Sequence, residues 1–463
     1  MIKDKTFYKT ILRLSLPAAF QSLINLLVVL ADNLMVSRVD PEGMAFTAVL
    51  QSNSITNLIL ATLTGLASGS IVLISQYWGK KDLRRIRDVS AAVLVLGVLV
   101  AFAAILLIFL LPKQVLMLVI NRNDTAAINY AMAYLPLVSL SYLPYAVTAC
   151  LIGMLKGVEI VRVTVYATLL SLLANVTLNY VLIFGKLGLP AMGVTGAALA
   201  TVLARLLEVS MVLYYCVRVQ KIVKVGMNLI YLQAAWAWHD FMRFGLPVGL
   251  TDMLWAVVGV IKMIIIGQMG SLMAAAAGVA ESLMNLGTLF TFALAGGAAV
   301  MVGKAVGSGD MRLVRAYSST IQVMFLFIGI MMASLVYLLR LPFISLYSLP
   351  TSSAALAERM ISLCTLTLIG TSYHASCFIG INRGAGDNRF VMVVDLICGW
   401  LIMLPLTAMS AVVFRMPLDI VYFFTRIDQT FKWIIAFLRL RGKKWIHNVT
   451  RPGSVKISDT ETV

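Results

Sequence analysis

Gly65–Ile86 reads GLASGSIVLISQYWGKKDLRRI and Ala293–Val314 reads ALAGGAAVMVGKAVGSGDMRLV, two diverged copies of one passage half a chain apart. Each joins a run of small apolar residues to a polar turn containing aspartate and arginine. A second echo lines up Cys150–Thr164 (CLIGMLKGVEIVRVT) with Cys377–Val391 (CFIGINRGAGDNRFV), and a third pairs Leu14-Ser15-Leu16-Pro17 with Phe244-Gly245-Leu246-Pro247. Self-similarity at half-length, in a chain that is 60% hydrophobic and 12% charged, points to a membrane transporter built from two like lobes.

That composition lies far outside the range of soluble domains. Apolar windows of roughly 20 residues, each able to cross about 30 Å of hydrocarbon, recur about twelve times. They fall near 11–38, 47–77, 89–112, 128–153, 160–184, 191–217, 239–267, 274–303, 317–340, 354–382, 391–413 and 417–438. The expected fold is therefore all-α and integral to the membrane, with twelve transmembrane helices in two pseudo-symmetric six-helix bundles. The lobes are expected at 1–220 and 221–440, followed by a basic and polar cytoplasmic tail at 441–463.

The net charge of +17 suits topology better than nucleic acid, because the cations cluster in alternate loops. Lys3, Lys5, Lys9 and Arg13 precede helix 1; Lys80, Lys81, Arg84, Arg85 and Arg87 follow helix 2. Arg218, Lys221 and Lys224 follow helix 6, and Arg439, Arg441, Lys443 and Lys444 follow helix 12. The opposite loops carry only scattered cations such as Lys113, Arg122, Lys186 and Arg415. Threading twelve helices places the rich loops, and both termini, in the cytoplasm. The first apolar stretch is too long for a signal-peptide core and reads as helix 1. The tail from Trp445, with Pro452 and Gly453, reads as a disordered end.

No enzyme motif stands. Gly297–Lys304 has one residue too many between its glycines for a phosphate loop and closes a membrane helix rather than following a strand. His239, His374 and His447 are scattered, and the five cysteines are single, without metal-ligand spacing. No metal site or disulfide is expected. The small-residue runs fit close helix packing.

Three further passages resemble the multidrug and toxic compound extrusion (MATE) family, whose members export substrates by cation antiport through twelve helices. They are Asn175–Thr201 (NVTLNYVLIFGKLGLPAMGVTGAALAT), Pro17–Arg38 (PAAFQSLINLLVVLADNLMVSR) and Arg383–Arg389 (RGAGDNR), in the family's order within a duplicated chain. The resemblance covers almost the whole length and implies a monomer working without a cofactor other than the coupling ion, H+ or Na+.

Asp32 lies about 22 Å along the helix from Pro17, deep in an apolar span. A carboxylate there is costly unless it is used or paired. Burial favours its neutral form, whereas a bound cation or hydrogen-bond donors favour the anion, so such a group can alternate between a proton, a metal ion and a cationic substrate. The resemblance assigns coupling to this acid with polar residues of helices 5 and 6, which here are Asn175, Asn179 and Thr201. Asn175 and Asn179 are four apart and share a helix face. Amides so placed also serve simply to tie helices together.

The second lobe departs from the family's best-known pattern: Trp255 and Tyr373 stand where those members carry helix 7 and helix 10 acids. Asp252, three residues before Trp255, offers a substitute anionic contact. Lys262 occupies the repeat position of Asp32 and is expected to pair with Glu281 on helix 8, as a structural pair or as part of the coupling. Arg205 with Glu208 and Asp428 with Lys432 have spacings that let their side chains meet, and Asp395 is expected to pair with Arg389 or Arg383.

The expected function is export of drug-like or organic, often cationic, compounds across a bacterial or archaeal plasma membrane. Remodelling of helix 1 near Pro17 would accompany it. Substrate contacts are expected from Gln21, Asn25, Asn53, Asn57, Asp252, Trp255 and Tyr373. A flippase for lipids or lipid-linked sugars, a class the same superfamily contains, stays open. It would need a cationic cleft for phosphate, and Lys262 is the only lysine expected within the central helices.

Overall fold

The computed structural model describes all residues except 1, 3, 37–43, 121–124, 221–233, 348, 443 and 452–463; the side chains of 26, 27, 29–31, 33, 34, 44–47, 126 and 271 are also outside the description. Among the described residues there is no strand. Numbered like the expected spans, the first six helices are α1 Lys5–Val36, α2 Met44–Gly79, α3 Leu83–Leu110, α4 Thr125–Ser139 with Tyr142–Gly157, α5 Arg162–Phe184 and α6 Gly193–Tyr214. They continue as α7 Ala235–Gln268, α8 Ser271–Ser308, α9 Met311–Ser345, α10 Thr351–Cys364 with Thr367–Arg383, and α11 Asn388–Val413. α12 is Leu418–Phe424, a 3-10 turn Ile427–Thr430 and Lys432–Arg441. Eight described helices are long and apolar enough to cross a membrane, or ten with α4 and α10 each taken as one bent span. α1, at 32 residues, is about 48 Å long. The single span expected at 417–438 is corrected to a broken one, and the break falls among the charged residues Arg426, Asp428 and Lys432.

The duplication is visible residue by residue. Lys81 and Gly309 hold the same place in the two copies and both have left-handed backbone, with φ of 59° and 82°. The aspartate that follows each caps the next helix: Asp82 accepts from Arg85 N at 3.2 Å and Asp310 from Leu313 N at 3.0 Å. A carboxylate there satisfies a free N–H and faces the positive end of the helix.

Close helix contacts come in matched pairs as well. A Cβ on Gly69 would lie 2.3 Å from Gly245 O, and one on Gly297 would lie 2.2 Å from Ser15 Oγ; Ser15 and Gly245 are equivalent in the third echo. Likewise a Cβ on Gly79 would meet Lys304 O at 2.1 Å, and one on Gly307 would meet Gln76 O at 1.9 Å. The small-residue runs thus let backbones touch, which is how helices gain attraction where lipid is as apolar as leucine. Gly307→Ala is expected to force α2 and α8 apart and cost about 1–3 kcal/mol. The check is a lowered thermal midpoint of the purified protein in detergent, with the exposed neighbour Ser308→Ala unchanged.

The chain packs as two compact units. One comprises Phe20–Ile74 and Asp82–Met253, the other Met1–Ala19, Ser75–Lys81 and Leu254–Val463. The start of α1 therefore packs with the later helices, resting on Gly297, while the start of α7 rests on Gly65 and Gly69 of α2. The boundary expected at 220/221 meets the undescribed stretch 221–233. The first unit is centred on Leu116, Ala131, Leu135, Tyr142 and Ala146, the second on Met273, Ala280, Met284, Met360 and Tyr422.

Both units bend one span at corresponding places. α4 turns by 43° and α10 by 50°. Hydroxyls take up carbonyls near the breaks: Ser139 donates to Pro136 O at 2.7 Å, and Thr365 to Ile361 O and Thr367 to Cys364 O at 2.6 Å each. Inside a membrane an unsatisfied carbonyl is costly, so these side chains make the bends tolerable.

Of the topology cations, Lys3, Arg122, Lys221, Lys224 and Lys443 lie outside the described residues, as does the tail from 452. The described part of that tail corrects the expectation of disorder: Trp445 and Val449 are buried. Val449 N donates to Gln76 Oε1 at 2.9 Å, and His447 N donates to Ala385 O at 2.8 Å. Two apolar side chains and a buried amide able to bond backbone explain the difference. All five cysteines are free and buried.

Candidate functional site

The passage joining α5 to α6 sets one against the other. Gly185 ends α5 in a left-handed conformation, φ 65°, and a Cβ on Gly196 would lie 2.8 Å from the Leu182 backbone. Only glycines permit so tight a return. The register that results brings Asn175 opposite Thr201, with Nδ2 donating to the Thr201 hydroxyl at 3.5 Å. Asn179, one turn on, donates through Nδ2 to Asn175 Oδ1 at 3.2 Å and to Asp32 Oδ1 of α1. Thr201 in turn donates to Ala197 O at 3.0 Å. The four residues named from the resemblance are thus brought together in one chain of hydrogen bonds.

Asn175 and Asn179 are buried and Asp32 is half-buried. One atom of the cluster is left over: Asn179 Oδ1 is buried and accepts no hydrogen bond. An orphaned oxygen costs about 1–3 kcal/mol, which a cation or a proton donor would relieve. Arg205 on α6 also acts on Asp32 through space. Pro17 lies inside the continuous helix α1, where it leaves Arg13 C=O without its helical donor.

In the same unit a cavity of roughly 200 Å³ is lined by α1, α2, α4, α5 and α6. Gln21 and Asn25 of the expected substrate contacts line it. Asn53 instead accepts from Tyr134 OH at 3.1 Å, and Asn57 is exposed. Asp252 packs beside Gly65, its Cβ 3.2 Å from where a Cβ would stand there. Trp255 and Tyr373 belong to the other unit, where Tyr373 donates to Gln322 Oε1 at 2.8 Å.

Of the cavity's charged residues, Arg205 and Glu208 make the pair their spacing suggested, whereas Lys156 went unassigned in the sequence. Lys156 Nζ donates to Gln21 Oε1 at 2.9 Å, and Gln21 Nε2 to Thr168 Oγ1 at 3.0 Å. Thr168 Oγ1 lies 3.3 Å from Glu208 Oε1, whose other oxygen meets Arg205 Nη1 at 2.6 Å. The Arg205 guanidinium stacks 4.9 Å above the Tyr145 ring. An expected span ending at 153 left Lys156 outside, but α4 runs to Gly157, so Lys262 is not the only central lysine. The pattern signal available was the helical period of α4 continued for one more turn.

The other unit holds two charge clusters. Glu281 lies 3.0 Å from Lys262 and 2.9 Å from Arg426, and accepts from Tyr422 OH at 3.1 Å. Lys432 lies 2.8 Å from Asp395 and 2.9 Å from Asp428, with its ammonium 4.2 Å from the Trp255 ring centroid. Asp395 thus pairs with Lys432, not with Arg389 or Arg383, because the break in α12 carries Lys432 to it. Where the resemblance led one to look for a helix 7 acid, there is an aromatic face and, over it, a tethered cation.

Comparison with known proteins bears on the fold and the family. The family model MatE matches residues 17–181 and 247–409, one stretch in each repeat. An uncharacterized transporter of Bacillus subtilis (strain 168), YisQ, is 24% identical over 447 residues, covering 96% of each chain. A probable multidrug resistance protein NorM of Rhizobium meliloti (strain 1021) is 25% identical over 424 residues, covering 89% of this chain and 88% of that one. A crystal structure of MATE in complex with MaL6 superposes with a TM-score of 0.84 at 19% identity, over 94% of this chain and 95% of that one. The helices are those of the twelve-helix MATE fold, and with both repeats matched the chain belongs to the MatE family of multi-pass membrane transporters.

Proposed function

We propose that this protein exports amphiphilic organic compounds in exchange for a proton or a sodium ion bound at Asp32, opening alternately to the two sides of the membrane. The observation that carries the reading is the chain Asp32–Asn179–Asn175–Thr201 with the unpartnered Asn179 Oδ1 at its centre. A carboxylate beside an unused amide oxygen offers a small cation two ligands, and offers a proton a carboxylate next to an acceptor. Release of Asn179 from Asp32 by the arriving cation would pass to α1, whose helix is weakest at Pro17. A relative carrying the words multidrug resistance supports drug-like substrates.

The clustering of Lys80, Lys81, Arg84 and Arg85 after α2 supports cytoplasmic termini and a plasma-membrane location. The protein acts as a monomer, and its only small partners are substrate, coupling ion and lipid. The test is efflux of an amphiphilic dye from proteoliposomes under an imposed proton or sodium gradient. Efflux driven by one gradient is expected and identifies the ion; no response to either counts against antiport and favours the flippase reading, for which Lys156 on the cavity wall is the supporting feature.

A further inference from the structure

The cavity of the unit Phe20–Ile74 and Asp82–Met253 is unevenly charged. Arg205 and Glu208 neutralise one another across 2.6 Å, and Glu208 is buried. Lys156 has no such counter-ion: its partner is the neutral Gln21 Oε1 at 2.9 Å, and none of the described ion pairs includes it. An ammonium has three donors, so two remain for the cavity. A second group points to the same vacancy of partners. Thr148, on α4 and also among the residues lining the cavity, is 2% exposed, and its buried hydroxyl makes no hydrogen bond. A half-buried charge without a counter-ion and an idle buried hydroxyl are both costly, and one anionic group would serve both.

We propose that this cavity binds the carboxylate or phosphate of an amphiphilic molecule, with Lys156 as its counter-ion and Thr148 as a further donor. Its volume is below the roughly 300–1,000 Å³ of pockets that enclose drug-sized ligands, so it takes an anionic head and not a whole drug-sized molecule. The stacked Arg205 and Tyr145 give an adjoining planar face. The preferred substrates are accordingly organic anions or zwitterions, which narrows the exporter reading above and rests on it only for the claim that the bound molecule is moved.

Binding can be tested without any gradient. Purified full-length protein in detergent is titrated with three probes that share a fluorophore: dansylglycine, its carboxamide, and dansylethylenediamine. Dansylglycine is expected to bind about ten- to a hundredfold more tightly than the carboxamide, the worth of one charge-assisted hydrogen bond. Lys156→Gln should erase that preference and Lys156→Arg should keep most of it. Displacement of the probe by benzoate assigns the anion to soluble acids, and displacement by lysophosphatidate alone assigns it to lipid headgroups. Equal binding of the three probes, a preference that survives Lys156→Gln, or displacement by neither competitor overturns the site. A carboxylate preference in protein that moves no dye would leave the site standing and sink antiport instead.

Discussion

Asp32→Asn is expected to lower gradient-driven efflux sharply while leaving the protein folded. Asparagine matches aspartate in size, and its carbonyl oxygen can still accept from Asn179 Nδ2, so the hydrogen bond across α1 and α5 survives. What disappears is the negative charge that a proton or sodium ion would neutralise. Antiport requires that cation and substrate alter one another's binding, and such couplings are typically about 5–150-fold in affinity. Removing the exchange group should therefore lower the gradient-dependent part of the efflux by about that factor, with the thermal midpoint unchanged. Asn179→Leu should show a similar loss, because it removes both the donor to Asp32 and the orphaned Oδ1. Wild-type efflux in Asp32→Asn would move the coupling elsewhere, and Glu281, which lies between two cations, would be the next group to test.

Lys432→Met should be the most destabilising single substitution at a charged position. Lys432 is 1% exposed, and Asp428 is fully buried. Removing the ammonium leaves the Asp395 and Asp428 carboxylates without the cation they share, beside the Trp255 ring and with Gln429 Nε2 donating to Asp428. Breaking a buried ion pair from one side costs about 3–5 kcal/mol, whereas replacing every member by neutral groups is often close to neutral. At about 2–4 °C per kcal/mol for a unit of this size, the thermal midpoint should fall by about 6–20 °C. Combining Lys432→Met with Asp395→Asn and Asp428→Asn should restore most of it. A small loss in the single variant, or no recovery in the triple one, would show that the cluster is not held together by its charges.

Much of the architecture was legible in the residues. Apolar windows located the helices because crossing lipid requires a continuous apolar stretch, and that requirement is local. Their ends were less legible: α4 outran its window by one turn, and that turn carries Lys156. The break in α12 was not legible either, since charges four apart suit an unbroken helix as well as a turn. The packed segment before residue 452 was missed because its composition is that of a loop, while its order depends on Gln76, more than three hundred residues earlier. At the site, Asp32, Asn175, Asn179 and Thr201 were named through resemblance and meet in space. Of the expected substrate residues, Gln21 and Asn25 line the cavity, whereas Asn53 is engaged by Tyr134, because polarity does not say which partner a side chain finds.

By itself the sequence determined that this is a duplicated, multi-pass helical membrane protein with a costly carboxylate in α1. Hydropathy, repeats and glycine spacing are written along the chain, and the bilayer leaves few ways to satisfy them. Tertiary structure alone decided which charges meet: Lys432 with Asp395, Glu281 with Arg426, and Lys156 with the neutral Gln21. The reason is that a buried charge must find its partner across helices. Which partner lies within 3 Å depends on where each helix bends and which glycines let its neighbour approach, and those are properties of packing rather than of any one segment.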